Sequence, residues 1–211
     1  LMSVSHDMYS VDISTGTLTQ VGTAPSWAGG GAWMDATSCG CLNSSGPPVP
    51  ISSITSGSFS SPSTWDCNCV PQPTNNVVIS NDITINNDFD QLAGRSFSVG
   101  NGNTVAVQNG YKLSIAGDLT NNGTISGDLS LNGTSLQTPI LGITENLEIN
   151  NSAGVTLSAD LDITGYLKLT DGVLNTDGYD VTLRSTASKT ALTIDVAGSI
   201  NGDVIVERFV P

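Results

Sequence analysis

Four cysteines stand in two C-x-C pairs, Cys39-Gly40-Cys41 and Cys67-Asn68-Cys69. Such thiols can pair as disulfides, stay free or ligate zinc. An even count in a low-charge chain rich in Gly, Asn, Ser and Thr suggests disulfides and an oxidising compartment. The connectivity of Cys39, Cys41, Cys67 and Cys69 is open among three pairings. Bridges running between the two pairs would close a loop of about 25 residues, worth roughly 3 kcal/mol by loop entropy. Zinc knuckles separate their ligands by roughly two to four residues, whereas a single residue separates these. Histidine occurs once, as His6. A serine triad or a Cys–His pair has only that base to draw on, and nothing links it to a nucleophile. A core or surface histidine is the simpler reading. The chain carries no phosphate-cradling glycine loop and no H-E-x-x-H.

Carboxylates are the other chemistry-bearing groups. Glycoside hydrolysis needs two at a fixed gap. Asp160 and Asp162 lie two apart, on one face of any strand that holds them; Asp118 and Asp128 are expected at comparable corners of neighbouring coils, as are Asp177 and Asp180 nearby. Acidic-sugar lyases want Arg or Lys around such groups, but Arg95, Lys112, Lys168, Arg184, Lys189 and Arg208 are scattered. Asp118, Asp128, Asp160 and Asp162 are also the weak candidates for a metal. Calcium takes roughly six to eight oxygens, and no D-x-D-x-D-G loop supplies them. The bland alternative makes these Asp and Asn residues turn formers whose side chains bond their own backbone. The expectation is therefore no cofactor, with calcium at a corner as the alternative. Tyr111, Tyr166 and Tyr179 are candidates for stacking on sugars, against core, corner or cap packing. Trp27, Trp33 and Trp65 are further aromatics.

Charge excludes some partners. Six basic against 19 acidic residues give a net charge of −13 over 211 residues. Phosphate binding needs a basic face, so nucleic acid is excluded as a partner, and anionic lipid surfaces with it. No run approaches the roughly 18 apolar residues of a membrane span, so no membrane insertion is expected.

The elements that must position these groups are strands. Helical periodicity is almost absent, and short alternating runs are punctuated by Gly, Asn and Asp. Residues 1–24 read as a hairpin, with Ser14-Thr15-Gly16 at its turn. Residues 25–64 are loop-like. From Val77 onward pairs of apolar residues recur: Val77/Ile79, Phe97/Val99, Leu113/Ile115, Leu129/Leu131, Leu147/Ile149, Leu167/Leu169 and Leu192/Ile194. A second series runs through Ile83/Ile85, Val105/Val107, Ile125, Ile143, Leu161/Ile163, Val181/Leu183 and Val204/Val206. A third holds Leu119, Leu136, Val155/Leu157, Val173/Leu174 and Ile200. Three short inward strands per unit of about 18 residues are what a parallel β-helix demands. Corners such as Gly100-Asn101-Gly102-Asn103 and Asp171-Gly172 supply the sharp bends. The expected fold is all-β: a right-handed three-faced parallel β-helix of about seven coils, preceded by a β-hairpin and a disulfide-containing cap. An antiparallel sandwich is the alternative. Extra length before Leu192 reads as an insertion at 185–191.

The organisation follows. Residues 1–50 are an N-terminal hairpin and linker, resembling one hairpin of a propeller blade and readable as the end of an upstream domain. Residues 51–76 are the cap, with Phe59 and Trp65 covering the open apolar end. Residues 77–211 are the β-helix. Its apolar finish suggests that the full-length protein continues, and no cap is expected after Val206.

The string Gly57-Ser58-Phe59-Ser60-Ser61-Pro62-Ser63-Thr64-Trp65-Asp66-Cys67-Asn68-Cys69-Val70-Pro71, followed by Asn75-Asn76-Val77-Val78-Ile79, resembles a recurrent opening motif of large secreted surface proteins of Bacteroidota. A related pattern opens G8-type β-helix domains. Residues 198–211 resemble the end of such β-helices. The resemblance spans about residues 55–211 and implies export by the type IX route, a bacterial cell-surface location and a sorting domain further downstream. The expected function is a non-catalytic structural or adhesive segment: a spacer, stalk, display element or filament former. Its partners would be like chains, other domains of the same protein, or surface glycans. A glycan-binding adhesin module and a carbohydrate-active β-helix enzyme are the alternatives.

Overall fold

A computed structural model describes residues 6–12, 17–24 and 49–210. The chain divides into two compact units, Leu1–Pro48 and Val49–Pro211. In the first, β1 (His6–Asp12) and β2 (Thr17–Ala24) form the expected antiparallel hairpin, with a register irregularity between Met8 and Tyr9. Its turn, Trp27, Trp33, Cys39 and Cys41 lie outside the described residues.

The second unit is a three-faced parallel β-solenoid of about seven turns. It opens with β3 (Ile51–Ser52) and β4 (Gly57–Ser58), then a 3₁₀ turn at Pro62–Thr64. Two coils follow with separate strands on each face: β5 (Val77–Ile79), β6 (Ile83–Ile85) and β7 (Phe89–Gln91), then β8 (Ser96–Val99), β9 (Thr104–Val107) and β10 (Lys112–Ile115). The next coils hold β11 (Asp118–Asn121) and β12 (Thr124–Leu131), then β13 (Gly142–Asn150). After these come β14 (Val155–Thr156), β15 (Leu161–Ile163) and β16 (Tyr166–Asp171), then β17 (Val173–Asn175), β18 (Val181–Arg184) and β19 (Leu192–Asp195). The last coil ends with β20 (Ser199–Asn201) and β21 (Val204–Glu207).

The first face stacks β4, β6, β9, β12, β13, β15, β18 and β21 in order. Eight strands at the ordinary spacing of about 4.8 Å give a column of about 34 Å. The second face stacks β7, β10, the later halves of β12 and β13, β16 and β19. Because β12 and β13 run through the corner between them, these two faces form one twelve-stranded sheet. The third face is β3, β5, β8 and β11, continued by β14, β17 and β20. Its two parts meet through bridges Thr120–Ile140 and Gln137–Val155.

Alternating side chains enter the axis and stay dry. Leu113, Leu129, Leu147 and Leu167 are in consecutive register and buried, as are Ile83 and Val105 on the first face and Val77, Phe97 and Leu119 on the third. At about 25 cal/mol per Å² of apolar surface removed from water, these columns dominate the stability. The N-terminal end is closed as expected. Phe59 and Trp65 are fully buried, their rings meet edge to face at 5.1 Å, and Phe59 lies 4.7 Å from Phe89. Trp65 Nε1 donates to the Phe59 carbonyl at 2.9 Å. Residues 51–58 do more than cap, since β3 and β4 already pair with β5 and β6 as a partial coil.

Several expectations need correction. The first apolar series joins two faces: Val77 and Phe97 stack under Leu119 on the third face, whereas Leu113 stacks on Phe89 on the second. The spacing from Phe97 to Leu113 is therefore less than one coil. Ile143, Leu136 and Val173 point outward; Leu141, Thr144, Gln137 and Leu174 fill the interior instead. Gln137 is tolerated inside because it is saturated. Its Nε2 donates to the Ile115 and Gly117 carbonyls, and its Oε1 accepts from Gly133 N and Asn151 Nδ2. In β19 the parity is reversed: Thr193 and Asp195, not Leu192 and Ile194, are in register with Leu167 and Leu169. The loop at 185–191, the expected insertion, sets that parity. Asp195 lines a concavity of about 370 Å³ with Leu183, Ile200, Val204 and Val206, where the inward side chains of the last coil meet solvent.

The disulfide joins Cys67 to Cys69 within one C-x-C pair. It closes a ring around Asn68, which takes a left-handed φ of 50°. So short a loop contributes only about 1–2 kcal/mol by loop entropy, so Trp65 and Phe59 hold the cap.

Candidate functional site

Outward side chains on the second face form the most organised polar assembly. Register places them. Glu148 stands between inward Leu147 and Ile149, Lys168 between Leu167 and Leu169, and the ladder pairs Glu148 with Lys168. Lys168 Nζ reaches Glu148 Oε1 at 2.8 Å and Thr170 Oγ1 donates to the same oxygen at 2.6 Å. Lys112 Nζ reaches Glu148 Oε2 at 2.7 Å from β10, two strands away. On the intervening β12, Lys112 is in register with Asp128 and Glu148 with Ser130, so the ion pair crosses that strand on the diagonal. Both Glu148 oxygens are thus engaged. Burial alone would raise the Glu148 carboxyl, but the hydrogen bonds from Lys112, Lys168 and Thr170 outweigh it and hold it down at about 2.

A second brace runs beside it. Tyr166 OH donates to Asp128 Oδ1 at 3.0 Å, and Asn146 Nδ2 donates to the same atom at 2.8 Å. Burial, then the bond to ionised Asp128, pushes the Tyr166 phenol up to about 12. Asp128 is positioned by Gly127, which carries the bulge where β12 turns the corner at φ +86°. Gly127 N donates to Glu145 Oε2 at 2.7 Å, and Glu145 also receives Lys189 from the 185–191 loop. The Lys189 hydrogen bond and the Gly127 amide outweigh burial and hold the Glu145 carboxyl below its ordinary value. On the first face Arg184 pairs with Asp162 at 2.9 Å and Glu207 at 2.8 Å. Each brace links side chains from different coils, along the axis.

The four weak metal candidates are not brought together. Asp118 lies on the third face, Asp128 on the second, and Asp162 on the first, where it binds Arg184; Asp160 accepts the Asp180 amide at the preceding corner. Asp118 and Asp128 belong to one coil rather than to neighbouring coils. Among the described residues no group of three or more His, Cys, Asp or Glu could hold a metal. Tyr111 immediately precedes β10 and Tyr166 opens β16, strands three steps apart on the second face; Tyr179 lies at the corner before β18.

Beside the braces lies a shallow groove of about 420 Å³, lined by Asp88, Asp90, Tyr111, Lys112, Ser114 and Asp128. Tyr111 is 39% exposed there. Asp88 Oδ1 accepts the Lys112 amide at 2.9 Å. The sequence points to Tyr111 and Asp128 and leaves Lys112 and Lys168 as scattered cations, whereas both converge on Glu148; Glu148, Asp88 and Asp90 go unmarked in it. The signal for Glu148 and Lys168 was present: opposite charges at the same phase within successive apolar pairs.

Fold and face together define a capped parallel β-solenoid with a polar-braced lateral sheet. No protein-family model matches the chain, and neither the curated proteins nor the solved structures hold a match.

Proposed function

We propose that the chain is a non-catalytic structural and adhesive segment of an extracellular bacterial surface protein, acting as a spacer and display column. The observation that carries this reading is the use made of ionisable side chains. Glu148, Asp128, Glu145 and Asp162 bind protein donors from other coils, and so lock coil to coil along the axis. A column bound in this way resists shear between coils, which suits a stalk. The half-exposed Cys67–Cys69 bridge and the acidic, low-lysine composition support an oxidising exterior.

The test is protease shaving of intact source cells with the released peptides identified, combined with a reducing-end assay of the pure chain on neutral and acidic polysaccharides. Release of peptides from this chain and unchanged polysaccharides are expected. Confinement to the cytosol, or cleavage lost on Asp128→Asn, would contradict the reading.

A further inference from the structure

The cap carries a covalent bond that its packing does not need. Cys67 and Cys69 are joined across a single residue, Asn68. A bridge over so short a loop takes little freedom from the unfolded chain, so it adds little stability. Nor does the cap take its shape from it. Trp65 and Phe59 are sealed against each other. Asp66 N donates to the Ser52 carbonyl at 3.0 Å, Ser52 N donates back to Asp66 Oδ1 at 3.2 Å, and Asn68 N donates to the Trp65 carbonyl at 3.0 Å. On the far side Pro71 is buried. The backbone bearing the two sulfurs is thus fixed on both sides by groups other than sulfur.

Position makes such a bridge reactive. Both cysteines are partly exposed, between buried Trp65 and buried Pro71, so a small thiolate in solution can reach a sulfur. Exposed disulfides of little structural weight are the ones that exchange. After reduction the two thiols stay neighbours, because the turn from Trp65 to Asn68 and the Ser52–Asp66 bonds remain. The Cys67 thiol then has an acceptor in place, since its Sγ lies 3.4 Å from the Cys69 carbonyl oxygen. Asn68 has a left-handed φ of 50°, and opening the ring removes one restraint on that backbone. A metal does not compete for the dithiol: among the described residues no third His, Cys, Asp or Glu joins it to form a metal-holding group.

We infer that Cys67 and Cys69 form a reversible thiol–disulfide exchange site whose substrates are low-molecular-weight thiols. A substrate thiolate attacks one sulfur of the bridge. The new S–S bond forms as the Cys67–Cys69 bond breaks, and the bonding pair passes to the released cysteine sulfur, which takes a proton. A second thiolate attacks the substrate sulfur of this mixed disulfide. The two substrates leave joined as a disulfide, and the second cysteine sulfur takes a proton. Two electrons have passed from the substrate thiols to the bridge, and the reverse sequence with a small disulfide closes it again. The released cysteine stays beside the mixed disulfide and can attack it, so the adduct is short-lived on the native chain. The inference goes beyond the column and its adhesion. It is read by thiol chemistry alone, so its failure leaves the proposed function standing.

The experiment equilibrates the full 211-residue chain with about 10 mM glutathione, the reduced form in about hundredfold excess over the oxidised. Free thiols are then alkylated and mapped by peptide mass, which separates Cys67 and Cys69 from Cys39 and Cys41. Cys67 and Cys69 are expected to be labelled together in at least about half of the molecules. The strand circular dichroism is kept, and melting falls by less than about 10 °C. Cys67→Ser, incubated with oxidised glutathione, should hold an adduct on Cys69 at least about tenfold more abundant than on the native chain, which resolves it. A bridge that stays unlabelled while the chain is folded overturns the inference. So does labelling that appears only with loss of the strand signal, since the bridge would then be a structural staple. An adduct on Cys67→Ser no more abundant than on the native chain overturns it as well.

Discussion

Glu148 shows how one side chain ties three coils. It receives Lys112 from β10, Lys168 from β16 and Thr170 from the end of β16, while its own side chain is only 10% exposed. Its carboxyl is held at about 2 against an ordinary 4.5. A carboxyl depressed in the folded state stabilises above the unfolded value and loses that contribution as pH falls through the folded one. The loss therefore falls between about pH 4.5 and 2. Lys112 and Lys168 are substantially exposed, so solvent screening reduces the contribution to about 2 kcal/mol. Glu148→Gln should lower stability at neutral pH by that amount and nearly nothing at about pH 2. Urea midpoints of the two proteins measured across this range check it. A constant gap between them would show that the carboxylate charge is not what binds the coils.

At the scale of elements, the corners decide where strands sit. Gly172 follows β16 at φ +85°, and a Cβ there would lie 1.8 Å from the Asn151 carbonyl oxygen of the coil below. Gly178 has a similar φ of +88° but nothing within 4 Å. Gly172→Ala should cost about 3 kcal/mol through backbone displacement, and Gly178→Ala only about 1 kcal/mol from its left-handed conformation. Thermal melts of the two variants compare these directly, and equal losses would contradict tight coil contact at Gly172. The same corners explain what was legible in the residues. Alternation in Leu113/Ile115, Leu129/Leu131 and Leu147/Ile149 announces inward strands, because only apolar groups can fill a dry axis. Which face a pair occupies is not written in the pair. It depends on corner lengths, which vary, so Phe97 and Leu113 read as one column while lying on different faces. Leu192/Ile194 alternates like the rest, yet the 185–191 loop, anchored by Lys189 on Glu145, delivers β19 in the opposite parity. Gln137 inside and Leu136 outside could not be foreseen without the carbonyls of Ile115 and Gly117 that satisfy the amide. Of the lateral site, the Glu148–Lys168 pair was readable from phase. The reach of Lys112 across β12 was not, since it requires knowing the register in which β10, β12 and β13 stack.

For the solenoid unit as a whole, stiffness and display both require coils stacked in parallel along one axis. Charge and composition set its exterior, but the stack sets its stiffness and the alignment of Asp90, Ser114, Lys112 and Glu148. Outward positions on the first face measure the stack. Thr84 on β6, Asp162 on β15 and Ile205 on β21 occupy the same sheet, with four strand steps from the first to the second and six to the third. Spin labels on Thr84 and Asp162, and separately on Thr84 and Ile205, read the spacing by pulsed dipolar spectroscopy. Backbone separations of about 19 and 29 Å are expected, each step adding about 4.8 Å. Distances that fail to lengthen from Asp162 to Ile205, as an antiparallel sandwich would give by folding the later strands back, would contradict the account.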